Sequence, residues 1–194
     1  MFRPTDSDYD QIAAAQIKAR AAQDQRFVIV AARFNDFVVA KLIAGAQEAL
    51  VAAGAVKEHI EVIRCPGALE LPGIVRRVVD QDASRGVVVL GCVIRGATPH
   101  FDLVVAESTR GVAAIAAEGR AAIANGILAC ENIEQAIERC GAKGNRGAEA
   151  AVVAVEMLSV YRKLGASRTS SAKAKKPFKP KTSRKPTKPQ KKKA

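Results

Sequence analysis

Two short runs of uninterrupted apolar residues, FVIVAA at 27–32 and GVVVLGC at 86–92, constrain this chain most. Runs of that length fit strands buried on both faces of a parallel sheet, where no side chain meets water. After the first run comes Arg33-Phe34-Asn35, with Asn35 or Asp36 suited to cap a helix. Val39, Leu42, Ile43, Ala46, Ala49, Leu50 and Ala53 then recur at helical spacing until Gly54. The cycle repeats, with a strand at 60–63, a turn at 65–67, and a shorter helix at 69–79 with Pro72 in its first turn. The run at 86–92 leads through a glycine-containing loop into a long helix from about 99 to 119. Phe101, Val104, Val105, Val112, Ile115 and Ala116 share one face of it. A fourth strand is expected at 122–129, interrupted in character by Asn125 and Gly126. Helices follow at 132–140 and 146–163, the second with Glu149, Glu156, Ser159 and Lys163 along a wet face. Strands alternating with helices predict an α/β fold, a three-layer α/β/α sandwich around a four-stranded parallel sheet.

The charge is not spread over this domain. Ten Lys and two Arg fall between residues 167 and 194 with no acid, so the other 19 basic side chains balance 19 acids, and the net +12 belongs to the tail. A high isoelectric point therefore gives no reason to read the folded part as a nucleic-acid binder. The tail also holds four of the eight prolines and almost nothing apolar, so it is expected to be disordered when free. Three regions result: an Ala- and Gln-rich extension at 1–25, a domain at 26–165 and a basic tail at 166–194. Cys65, Cys92, Cys130 and Cys140 match no redox pair or common zinc spacing and read as free thiols of a reducing compartment. With only His59 and His100 as imidazoles, no metal site is expected. The acids at Asp6, Asp8 and Asp10 argue against a secretory signal, and no apolar stretch is long enough to span a bilayer. A cytoplasmic location is expected.

In open parallel sheets ligands bind beyond the carboxyl ends of the strands. Three segments should meet there: Arg33-Phe34-Asn35, Gly67-Ala68-Leu69-Glu70, and the stretch from Gly91 to His100. No G-x-G-x-x-G follows the first strand and no phosphate-loop motif occurs, which disfavours dinucleotides and nucleoside triphosphates. Gly96-Ala97-Thr98-Pro99-His100 is the most informative stretch. Thr98 is a good helix cap and Pro99 suits a first helical position, so free N–H groups and the positive dipole end would form an anion site. His100 then lies in the first turn, where the dipole favours a neutral imidazole able to accept a proton. A capped helix with a surface histidine has the same local sequence. Taken singly, Glu70 reads first as a dipole-favoured surface acid and then as a hydroxyl ligand, Phe34 as core before stacking platform, and Arg139 as a helix-end surface charge. Asp102 and Glu107 beside His100 make no hydrolase triad, since no nucleophile elbow is present.

RFN at 33–35, PGALELP at 66–72, GCVIRGATPHFDLV at 91–104, ESTRG at 107–111, NGIL at 125–128, ENIEQAIERCG at 131–141 and GNRGAEAA at 144–151 occur in one order. In these segments the chain resembles the lumazine synthase family over about residues 26–164. The sheet order expected is flavodoxin-like.

The resemblance implies condensation of 5-amino-6-(D-ribitylamino)uracil with 3,4-dihydroxy-2-butanone 4-phosphate to 6,7-dimethyl-8-ribityllumazine, the penultimate step toward riboflavin, with no cofactor. It implies that Phe34 stacks on the pyrimidine, that Ala68, Leu69 and Glu70 hold the ribityl chain, and that Cys92, Val93 and Ile94 contact the ring mainly through backbone. Ala97, Thr98 and Arg139 would take the phosphate, with His100 relaying protons. The implied assembly is a homopentamer whose sites lie between subunits, with Asn125 and Arg139 facing the other residues across the interface. Some relatives stack twelve pentamers into an icosahedral shell. Asn125 stands where several relatives carry Phe, and Arg146 where Lys is common. Two alternatives remain at this point: a lumazine- or flavin-binding protein with little catalysis, and a shell-forming scaffold whose tail recruits RNA or another polyanion.

Overall fold

The computed structural model describes residues 25–141 and 144–172, with side chains as far as Leu164. The N-terminal extension and most of the basic tail lie outside them. Four strands, β1 (Phe27–Ala32), β2 (Ile60–Cys65), β3 (Gly86–Ile94) and β4 (Ala122–Cys130), form one parallel sheet in the order β2-β1-β3-β4. The helices are α1 (Asp36–Ala52), α2 (Leu71–Gln81), α3 (His100–Ala117), α4 (Ile133–Glu138) and α5 (Arg146–Ala172). A two-residue hairpin, β5 (Cys140–Gly141) with β6 (Gly144–Asn145), joins the last two.

All six residues of β1 are buried, as an apolar run in a central strand requires. Alternate side chains feed two cores. Phe27, Ile29, Ala31, Val88 and Leu90 pack beneath α1 and α5, whereas Val28, Val30, Val87 and Val89 pack beneath α2 and α3. Each large side chain so buried contributes about 1.5–3 kcal/mol of transfer free energy, enough in sum to hold three layers together.

Several local expectations change. Asn35 holds the cap position of α1 but makes no side-chain bond to the helix: its backbone is left-handed (φ 58°), alone among the described non-glycine residues, and its Nδ2 donates to Cys92 O at 2.9 Å. Thr98 is not the cap of α3 and Pro99 is not its first helical residue, because Pro99 holds the cap position and His100 begins the helix. Residues 68–70 form a 3-10 turn and α2 starts only at Leu71. Helix α4 is shorter than expected, running from an Asn132 cap that accepts from Gln135 N at 2.9 Å. Helix α5 continues past Gly165 to Ala172, since no proline interrupts its backbone ladder before Pro177.

Candidate functional site

β1, flanked by β2 and β3, is where connections depart to opposite faces of the sheet, so the loops after the three strands open a crevice. Backbone and side-chain bonds tie these loops into one rim. Arg33 N donates to Cys65 O (2.8 Å) and Phe34 N to Pro66 O (3.1 Å), joining the β1 loop to the β2 loop. The Asn35 amide reaches Cys92 O on the other side, continuing the β1/β3 ladder after β1 has turned away. The rim leaves Phe34 71% exposed, an aromatic face with no core role. Ala68 is buried while Leu69 and Glu70 are exposed, and their turn packs against both β3 and α3. The Glu70 carboxylate folds back over Gly67, its Oε2 only 2.9 Å from where a Cβ on that glycine would stand. Cys92 is buried, with Val93 and Ile94 partly so.

The third part of the rim is the segment from Gly96 to His100, exposed throughout. It ends in α3, an 18-residue helix whose first N–H groups and dipole face the crevice. A phosphate fits such an end through backbone hydrogen bonds without a dedicated cation. His100 opens the helix within the same rim, so an imidazole and the free N–H groups of the helix start share one edge.

Asn125 and Arg139 lie elsewhere in the chain. Asn125 pairs with Val89 in mid-sheet, five residues and hence roughly 16 Å back from the end of β4, and is exposed on that edge strand. Its Oδ1 accepts from Ile127 N at 3.0 Å. Together with Gly126, Arg139, Arg146 and Glu149 it lines a groove of about 360 Å³ between β4 and α5. Arg139 ends α4, where its Nη1 donates to Gln135 O at 2.9 Å and its backbone O accepts from Arg146 N at 2.9 Å. Arg146 pairs with Glu149. The expected site residues thus fall into two separate groups in one chain: the rim with Phe34, Glu70 and His100, and the edge groove with Asn125 and Arg139.

Residues 24–162 match the sequence family described as 6,7-dimethyl-8-ribityllumazine synthase. The chain belongs to that family. Among similar lumazine synthases, that of Anaeromyxobacter dehalogenans is 51% identical over 135 residues, covering 69% of this chain and 83% of the relative. The lumazine synthase of Halorhodospira halophila is 50% identical over 147 residues (75% and 94%), and that of Chlorobium limicola 46% over 143 (73% and 92%). Membership gives the activity class, a transferase of riboflavin biosynthesis, and favours the enzyme over a non-catalytic scaffold. Among the described residues, no helix is long and apolar enough to cross a membrane.

Two residues that structure the site were not picked out as such in the sequence. Asn35 matters through a left-handed backbone and a bond 57 positions away, which only its place just after a strand in an R-F-N turn hinted at. Asn145 accepts at Oδ1 from Gly147 N (2.9 Å) and Ala148 N (3.1 Å), capping α5, and donates from Nδ2 to Lys41 O (3.0 Å). The Asn-x-Gly-Ala pattern before an apolar helix is the sequence signal for that cap.

The four cysteines are free and buried. Burial, with Cys130 and Cys140 nearby, pushes the Cys92 thiol up to about 12. The neutral thiol is therefore the form held under the rim. In dithionitrobenzoate titration at pH 8 we expect the native protein to react far more slowly than the four-thiol unfolded chain. Because the folded value lies above the unfolded one, near 9.0, this stabilisation is present below pH 9 and lost as pH climbs toward 12. Stability that rose across that window in a comparison with Cys92→Ala would contradict the assignment.

Proposed function

We propose that this chain condenses 5-amino-6-(D-ribitylamino)uracil with 3,4-dihydroxy-2-butanone 4-phosphate to 6,7-dimethyl-8-ribityllumazine, releasing phosphate and water. The observation that carries the reading is the rim tied by Arg33, Phe34 and Asn35, which sets an exposed aromatic ring and the opening of α3 around one crevice. Phe34 stacks on the pyrimidine, Ala68, Leu69 and Glu70 hold the ribityl hydroxyls, and the backbone of Cys92, Val93 and Ile94 borders the ring. The phosphate sits on the amides of Ala97 and Thr98, and the planar fork of Arg139 clamps it. Schiff-base formation, phosphate elimination and ring closure each move protons, which His100 relays, while holding two reactants face to face removes much of the entropic barrier.

The separation of the two groups supports an active site shared by neighbouring subunits of a homopentamer, the edge groove of one completing the rim of the next. Asn125 then offers the pyrimidine side a polar contact. Twelve such pentamers would make a shell; sedimentation at about five times the 20.5 kDa chain rejects the shell and keeps the pentamer. The four free cysteines support a reducing, cytoplasmic location for the enzyme.

Absorbance of the lumazine product tests the reading. The wild-type protein is expected to form it from the two substrates, and His100→Ala to retain activity reduced about tenfold, less than the hundredfold or more that a general acid–base group typically contributes, because proximity survives. No product from the wild-type protein removes the proposal, and an unchanged rate in His100→Ala removes the proton relay.

A second role is favoured by the charge of the tail. Twelve cations without an acid between residues 167 and 194 attract a polyanion, RNA in the first instance, in a salt-dependent way, and assembly multiplies the attraction. Deleting 173–194 keeps α5 whole and removes eleven of those charges. It is expected to leave turnover intact and abolish retention on RNA at low salt; equal retention defeats the role.

A further inference from the structure

Arg95 is the one cation of the β3 loop, and chemistry alone would make it a phosphate ligand. Its side chain is committed elsewhere. Nη1 and Nη2 donate to Asp102 Oδ2 (3.1 Å) and Oδ1 (3.0 Å), while Nε and Nη2 donate to Glu131 Oε2 (2.5 Å) and Oε1 (3.3 Å). The guanidinium carbon lies 4.1 Å from the centroid of the Phe101 ring, itself nearly buried. Arg95 N also donates to Cys130 O at 2.9 Å, carrying the β3/β4 ladder one step beyond Ile94. Two carboxylates outweigh the single positive charge, so no free cation remains for a ligand.

Residues 95 and 102 bracket the segment Gly96–Phe101 that we assign to the phosphate. Within that segment the backbone has little to hold it, since all of Gly96 to His100 is exposed and a Cβ on Gly96 would touch nothing within 4 Å. The guanidinium closes it from outside by gripping the first turn of α3 through Asp102, resting on Phe101, and anchoring to Glu131 at the end of β4. Glu131 directly precedes Asn132, the cap of the helix that ends at Arg139. A planar fork can hold two carboxylates and a ring at once, whereas an ammonium cannot.

We infer that Arg95 is a positioning residue, which fixes the anion-binding segment by clamping its two ends and ties it to the strand that leads to Arg139. Isolated exposed ion pairs contribute little to stability, so the effect belongs to the geometry of the cradle. The inference rests on the phosphate assignment made above. Steady-state kinetics of the full-length enzyme with both substrates, and inhibition by inorganic phosphate, test the two separately.

In Arg95→Gln, KM for the butanone phosphate and the inhibition constant of phosphate are each expected to rise about tenfold. KM for the pyrimidine should stay within about twofold and kcat within about threefold, the pattern of weakened binding at one subsite. Arg95→Lys, which keeps the charge and loses the fork, is expected to resemble Arg95→Gln. Asp102→Asn, a milder change should the others fail to fold, is expected to shift the same two constants by about threefold. Full recovery in Arg95→Lys would mean charge, not clamping. Unchanged constants, or equal rises for both substrates, would also overturn the inference. If inorganic phosphate does not compete with the butanone phosphate in the wild-type enzyme, the phosphate assignment fails first and takes this inference with it.

Discussion

Replacing Arg139 by alanine is expected to lower kcat/KM by about a hundredfold, the loss of a charge-assisted, two-pronged contact to a phosphate. The side chain is well placed for that task. The side chain is 40% exposed in the groove beside β4, its guanidinium held at one nitrogen by Gln135 O, with Glu138 no closer than 3.9 Å. Among the described residues nothing else takes its remaining donors. The same geometry separates a site within one chain from a shared one. Thr98→Glu puts a carboxylate where the phosphate sits and should be inactive alone. Co-expressed in equal amount with Arg139→Ala, it should restore activity at about a quarter of the interfaces, those joining an intact rim to an intact groove in a head-to-tail ring. Activity of the mixture no higher than the sum of the two variants would refute the shared site, and a full rate in Arg139→Ala alone would remove the phosphate clamp.

Gly147→Ala is expected to produce the largest loss of stability. A Cβ there would stand 2.0 Å from Leu42 O and 2.7 Å from its carbonyl carbon, backbone atoms of α1 that cannot rotate aside. Separating α1 from α5 would also disturb the Asn145 side chain, which fills the space above Gly45 and bonds to Lys41 O. Overpacking of this kind costs about 3 kcal/mol, or about 10 °C in Tm for a chain of this size. Arg146 and Arg139 hang from the same junction, so activity should fall as well. Gly73→Ala is the control. Exposed in α2 with nothing within 4 Å of the added methyl, it should raise stability by a few tenths to 1 kcal/mol through helix propensity. Thermal unfolding at one fixed protein concentration compares the three proteins, and a Gly147→Ala protein as stable as wild type would show that the two helices have room to part.

The strands were legible because burial on both faces leaves a run such as FVIVAA no other use, and β1 has the expected limits. Even β4 runs its full length through Asn125 and Gly126, since an edge strand can turn an amide outward and Gly126 admits Leu90 and Ala150 to its backbone. Boundaries at the site were less legible. Propensity made Thr98 the cap and Pro99 the first helical residue, yet the helix starts one position later. Asn35 looked like a cap because asparagine is a good one, whereas its amide completes the ladder to Cys92 after β1 has ended. The amide of Asn35 finds its partner 57 positions away, and local pattern carries no information about such a partner.

Apolar periodicity, glycine placement and the order of the short motifs were enough to settle the layers, the parallel sheet and the family, because each depends on contacts repeated every few residues along the chain. Only the folded chain decided that Arg95 is spent on Asp102 and Glu131, and that Arg139 opens onto a groove at the far edge from Phe34. Those outcomes are set by which side chains meet across the sheet, and a guanidinium's role follows from the carboxylates that reach it first.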